Sequence, residues 1–181
     1  MLIRARDSIL VVIDIQEKLV PAMQAPARTI RNASLLLNAA NACAVPAILT
    51  EQYPRGLGPT VPEIARLAGE NPIIEKLHFS CMEDSGFRGR FTALDRRQAI
   101  LVGMEAHVCV VQTAASLIEA DYEVFVVSDA TASRTIDSEA ACITRLNSSE
   151  ASIVTTEMVV FEWLGKAGTP AFKELLPLIK S

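Results

Sequence analysis

Two hydrophobic rhythms alternate along the chain. Short, nearly unbroken apolar runs rich in β-branched residues occupy positions 9–14, 46–50, 73–75, 99–102, 123–128 and 152–155. Between most of them lie longer stretches in which apolar residues recur at helical spacing, at 27–44, 61–68, 108–120 and 138–147, followed by 157–164 and 170–179. Apolar runs without internal alternation predict strands covered on both faces. Strand–helix alternation predicts a parallel sheet with helices on either side, joined by right-handed crossovers. Breakers mark the boundaries. Pro46 opens the second run, Pro54, Gly56, Gly58, Pro59 and Pro62 crowd the loop after it, and Gly103 closes the fourth. No internal repeat, low-complexity tract or linker divides the chain, so one domain is expected over 1–181.

The ends of three predicted strands carry chemistry. Asp14 closes the first run, Lys76 follows the third, and Cys109 lies just beyond Gly103 where a helix is due to begin. In an open α/β sheet, groups at the carboxyl ends of strands converge on one crevice. An acid, an amine and a thiol in one crevice make an activated nucleophile. At the start of a helix the dipole and the unpaired amides favour a thiolate, and such thiols have pKa values of roughly 3.5–7.5 when a cation helps. Lys76 is that cation in this reading, and Asp14 is the group that takes the thiol proton and returns it to a leaving amine. Each residue also has a plainer role: cysteines near helix starts usually pack, strand-end aspartates often cap helices, and lysines are mostly solvated.

Composition narrows the classes. A chain of 181 residues, 50% hydrophobic and 21% charged, is ordinary for a globular domain with a full core. Its net charge of −4 leaves no basic footprint for nucleic acid. No apolar stretch reaches the roughly 18 residues that cross a membrane, and the first residues lack the pattern of a signal peptide, so a cytoplasmic protein is expected. The four cysteines, Cys43, Cys81, Cys109 and Cys142, form no C-x-x-C pair. They fit neither a zinc site nor a disulfide framework. The two histidines, His78 and His107, lack metal-ligand spacing, so neither a metal nor another cofactor is expected.

At these residues the sequence resembles the isochorismatase-like cysteine hydrolase superfamily over nearly its whole length. Val12-Ile-Asp14-Ile-Gln16 is similar to the family's first-strand motif. Lys76 with Phe79 and Ser80 resembles its K-x-x-F-S segment, and Gly103-Met-Glu-Ala-His-Val-Cys109-Val resembles its nucleophile segment. Ser128-Asp129-Ala130 with Ser133 and Arg134 resembles its fifth-strand exit. The resemblance implies a three-layer α/β/α fold on a six-stranded, mostly parallel sheet and an Asp14–Lys76–Cys109 triad. It also implies a cis peptide bond between Met104 and Glu105, with the amides of Glu105 and Cys109 forming an oxyanion hole. Homo-oligomers, sometimes completing a pocket from a neighbouring subunit, are implied as well. The apolar residues Met158, Val159, Phe161, Trp163 and Leu164 offer an interface or, equally, a sheet contact.

Nicotinamidases in this superfamily carry a histidine-containing metal site after the second strand. The matching stretch here, Thr50-Glu-Gln-Tyr-Pro-Arg-Gly56, has no histidine. The sequence therefore reads as a metal-independent hydrolase that opens a small amide or related carbonyl compound through a thioester. Gln16, Gln52, Tyr53, Phe79 and His107 are the candidate substrate contacts. The alternatives are vinyl ether hydrolysis without Cys109 and a non-catalytic binding or assembly module on the same fold.

Overall fold

The computed structural model describes residues 2–180. Six strands, β1 (Ser8–Ile13), β2 (Ala47–Gln52), β3 (Ile73–Lys76), β4 (Gln98–Gly103), β5 (Glu123–Thr131) and β6 (Ser152–Val154), form one sheet in the order β3-β2-β1-β4-β5-β6. Every neighbouring pair is parallel. Around it lie the helices α1 (Pro26–Ala42), α2 (Pro54–Leu57), α3 (Pro62–Ala68), α4 (Ser85–Ala93), α5 (Val111–Glu119), α6 (Ile136–Asn147), α7 (Thr156–Leu164) and α8 (Pro170–Ile179).

The strands are apolar throughout because successive side chains enter two different cores. Leu10, Val12, Leu49, Ile100, Val102 and Val127 point to one face, where they meet Leu36 and Leu37 of α1, Ile64 of α3, Val160 and Trp163 of α7 and Leu175 of α8. Ile9, Val11, Ile13, Ile48, Leu101 and Val126 point to the other, against Phe87 and Phe91 of α4, Ala114 and Leu117 of α5 and Leu146 of α6. This is the three-layer α/β/α arrangement expected from the sequence.

Two details differ. β5 runs on to Thr131, past the expected end at 128, because its register against β4 shifts between Leu101 and Gly103 and absorbs the extra residues. α4 adds a helix that the hydrophobic pattern did not mark. The apolar surface of α7 is also mostly internal. Val159, Val160 and Trp163 are buried, with the Trp163 indole donating to Ser8 Oγ at 3.0 Å, while Met158 and Phe161 are exposed.

The strand order reverses between β1 and β4, since the chain winds outward from β1 in one direction and from β4 in the other. Open sheets leave a crevice at the carboxyl ends of such a pair.

Candidate active site

Three strand exits at this edge leave the sheet through left-handed residues: Asp14 (φ 54°) after β1, Tyr53 (φ 40°) after β2 and Glu105 (φ 56°) after β4. Such conformations cost non-glycine residues energy and concentrate at functional sites. Gly103, at φ 136°, ends β4 so close to β1 that a Cβ would overlap the carbonyl oxygen of Ile13. That approach lets the Met104 amide donate to the same carbonyl at 2.9 Å. The bond between Met104 and Glu105 is trans, as is every described peptide bond. This corrects the expected cis bond: the positive φ angles of Gly103 and Glu105 turn the chain instead.

Cys109 sits in a single π-helical turn (Ala106–Val110) that leads into α5. Such turns recur at functional sites. The sequence reading placed Cys109 in the first turn of a helix among free amides. Its amide instead donates to the Glu105 carbonyl at 3.0 Å.

Asp14, Lys76 and Cys109 meet in the crevice. The Lys76 ammonium donates to Asp14 Oδ2 at 2.8 Å, and both side chains are completely buried. Thr50 donates to the other carboxylate oxygen, Asp14 Oδ1, at 2.7 Å. The Cys109 thiol is also buried, and the Asp14 carboxylate is near enough to act on it electrostatically. Lys76 donates further to Gln52 Oε1 at 2.7 Å and, more weakly, to the carbonyls of His78 at 3.3 Å and Phe79 at 3.4 Å.

Burial works to lower the pKa of Lys76, but the Asp14 carboxylate together with the neighbouring Cys81 and Cys109 more than offsets it and leaves the ammonium above its ordinary range. Burial pushes the Cys109 thiol well up, the Asp14 charge pushes it further, and Lys76 offsets only part of this. The expected acidic thiol is therefore reversed in this structure. The helix-start effect is small beside desolvation and an adjacent carboxylate.

A second thiol shares the crevice. Cys81 is fully buried, and its pKa is raised to about 11 by burial, partly offset by Lys76. Its backbone amide donates to Thr113 Oγ1 at 3.0 Å. The sequence pattern identified neither Cys81 nor Thr50 as part of this cluster. The one available signal was position, since Thr50 pairs in register with Ile13, one residue before Asp14.

The remaining candidates divide into inner and outer groups. Gln16 is fully buried; its Nε2 donates to the carbonyls of Gln52 at 3.0 Å and Gly58 at 2.7 Å, and its Oε1 accepts from the Gln52 amide at 2.8 Å. Gln52 is buried, and its Nε2 donates to the Leu77 carbonyl at 2.8 Å. Tyr53 and Phe79 are exposed, as is Leu77. His107 lies at the other side, its Nδ1 2.9 Å from Ser133 Oγ and its Nε2 3.6 Å from Glu105 Oε2, while Arg134 pairs with Glu105 Oε1 at 3.0 Å. Among the described residues, no three His, Cys, Asp or Glu side chains gather to hold a metal ion, and no helix is long and apolar enough to cross a membrane.

A parallel α/β sheet with a buried carboxylate, ammonium and thiol gathered at its switch point defines a class of open α/β proteins with ionisable groups at that edge. The family is specific: the isochorismatase domain model matches residues 8–158, and the chain belongs to that family. It is 38% identical over 174 residues to isochorismatase domain-containing protein 2 of Danio rerio, covering 96% of this chain and 87% of that protein. The solved MAR1 ribonuclease of Caenorhabditis elegans superposes with a TM-score of 0.94 at 35% identity, covering 100% of this chain and 93% of that one. The YcaC gene product of Escherichia coli, an octameric hydrolase of unknown specificity, shares the fold with a TM-score of 0.93 at 24% identity, covering 98% and 90%.

Proposed function

We propose that this isochorismatase-family protein is a cysteine hydrolase acting on a small amide or related carbonyl compound. One observation carries the reading: the Lys76–Asp14 ion pair, 2.8 Å long and fully buried, lies beside the Cys109 thiol. A buried ion pair is seldom a net gain in stability, because desolving two charges is expensive. Its placement against a thiol in a crevice gives it a chemical purpose.

In the proposed cycle the resting thiol keeps its proton, with Asp14 as the waiting acceptor. When substrate arrives, Asp14 takes that proton and the Cys109 sulfur attacks the carbonyl carbon, forming a C–S bond. The Lys76 charge favours the thiolate, and the amides of Glu105 and Cys109 receive the oxyanion, the latter by loosening its bond to the Glu105 carbonyl. Collapse breaks the C–N bond, and Asp14 protonates the departing amine. A water molecule then gives a proton to Asp14 and attacks the thioester. The acid leaves, and Cys109 recovers its proton.

Exposed Tyr53 and Phe79 are assigned to the substrate mouth, with Leu77 beside them. Gln16, whose amide is engaged by backbone groups, is assigned a scaffolding role. His107 is assigned to bracing the nucleophile turn through Ser133 and Glu105. The four free cysteines suit a reducing, cytoplasmic setting. The net charge of −4 favours a small molecule over a nucleic acid.

The test is a screen of small amides for ammonia release, with Cys109→Ser as control. The expected result is turnover of at least one amide that disappears in Cys109→Ser. Turnover that survives in Cys109→Ser would overturn the proposed mechanism.

A further inference from the structure

We propose that Gln52 is a positioning residue that keeps the Lys76 ammonium at Asp14 and Cys109 while the proton moves, rather than a contact for substrate. The inference rests on the cysteine-hydrolase reading and assigns a role within it.

An ammonium has three N–H donors. Lys76 gives one to Asp14 Oδ2 at 2.8 Å and one to Gln52 Oε1 at 2.7 Å; the carbonyls of His78 and Phe79, at 3.3 and 3.4 Å, are left to share the third. Gln52 therefore supplies the short neutral contact that balances the charged one. The orientation of its amide is not arbitrary. Its Nε2 donates to the Leu77 carbonyl at 2.8 Å, and reversing the group would set NH₂ against an ammonium and oxygen against a carbonyl. The backbone around it is fixed as well. The Gln52 amide donates to Gln16 Oε1 at 2.8 Å, the Gln52 carbonyl accepts from Gln16 Nε2 at 3.0 Å, and Gln52 stands in register with Lys76 across β2 and β3.

The chemistry gives this bond its purpose. Once Asp14 has accepted the thiol proton, it is neutral and no longer attracts the ammonium by charge. At that moment the new thiolate most needs the cation nearby. A neutral amide keeps its hold on Lys76 through the change, because its interaction does not depend on the charge of Asp14. A carboxylate at position 52 would instead compete with Asp14 for Lys76 and disfavour the thiolate.

The test reads the rate of Cys109 alkylation by iodoacetamide at neutral pH, resolved by peptide mass spectrometry, in the intact protein, Gln52→Met, Lys76→Met and the double variant. The cycle separates a direct effect of Gln52 from one that passes through Lys76. The expected result is a loss of about fivefold to tenfold from Gln52→Met when Lys76 is present and less than about twofold when it is not. Equal losses in both backgrounds, or no loss in either, overturn the inference while leaving the hydrolase reading intact. No change from Lys76→Met itself overturns the role given to Lys76 in that reading, and this inference with it. Should Gln52→Met fail to fold, Gln52→Glu serves: its added charge is expected to move the midpoint of Cys109 alkylation upward by about half a pH unit or more, and an unmoved midpoint overturns the inference.

Discussion

Thr50 donates its hydroxyl to Asp14 Oδ1 at 2.7 Å, on the carboxylate oxygen that Lys76 leaves open. Both groups are buried, so the bond is not replaceable by bulk water. Replacing Thr50 with Val keeps the shape and removes the donor. The expected cost is roughly 1–3 kcal/mol of stability, from leaving a buried acceptor short of a partner. A urea titration of Thr50→Val against the parent checks this. A change below a few tenths of a kcal/mol would show that the bond contributes little.

Stability is expected to fall on the alkaline side. The thiols of Cys81 and Cys142 are raised to about 11, chiefly by burial, and Cys109 is raised as well. In the unfolded chain these thiols ionise near their ordinary pKa of about 8.5. Above that value the unfolded state binds fewer protons than the folded one, so stability decreases with pH. Their contribution is complete below that range and is lost as pH rises through the folded values. The melting temperature should therefore stay level through neutrality and decline above about pH 8.5, and Cys142→Ala should make the decline shallower. An identical slope in that variant would remove Cys142 from the account.

Asp14 should affect two readouts of Cys109 in opposite directions. Its charge raises the thiol, after burial, and its carboxylate accepts the proposed catalytic proton. Asp14→Asn is expected to lower the pH midpoint of Cys109 alkylation while abolishing amide turnover. A midpoint that rises or stays in place would mean that the carboxylate does not face the thiol as described.

Gly103→Ala combines a forbidden backbone angle with overlap on the Ile13 carbonyl. The expected loss is on the order of 3 kcal/mol, large for one methyl group. Differential scanning calorimetry measures it, and a near-parental melting temperature would show that β1 and β4 can separate there.

Association is expected in solution, with Met158 and Phe161 of α7 as the apolar residues available to a partner copy. Light scattering at micromolar concentration should give a mass of at least two chains. A mass of one chain rejects the expectation.

The strands were legible because a sheet covered on both faces needs apolar residues at consecutive positions, and few other structures do. The meeting of Asp14, Lys76 and Cys109 was legible for a topological reason, since strand ends share one edge. α4 was not: only Phe87 and Phe91 anchor it in the core, two glycines interrupt it, and its start depends on Asp84 accepting from the Phe87 amide. The bonds of Gln16 to the Gln52 and Gly58 backbone were not legible, because an amide side chain does not reveal in sequence which groups it meets. The acidity of Cys109 was misread because helix position is visible in sequence, whereas depth of burial and the approach of a carboxylate are tertiary facts.

The loop after β3 faces two ways at once. Leu77, His78 and Phe79 turn their carbonyl oxygens toward Gln52 and Lys76, while all three residues remain exposed at the surface. The buried ammonium thus senses the path of the main chain there and not the identity of its side chains. Side-chain substitutions along this stretch can therefore change the exposed surface while the carbonyl oxygens that meet Gln52 and Lys76 stay in place.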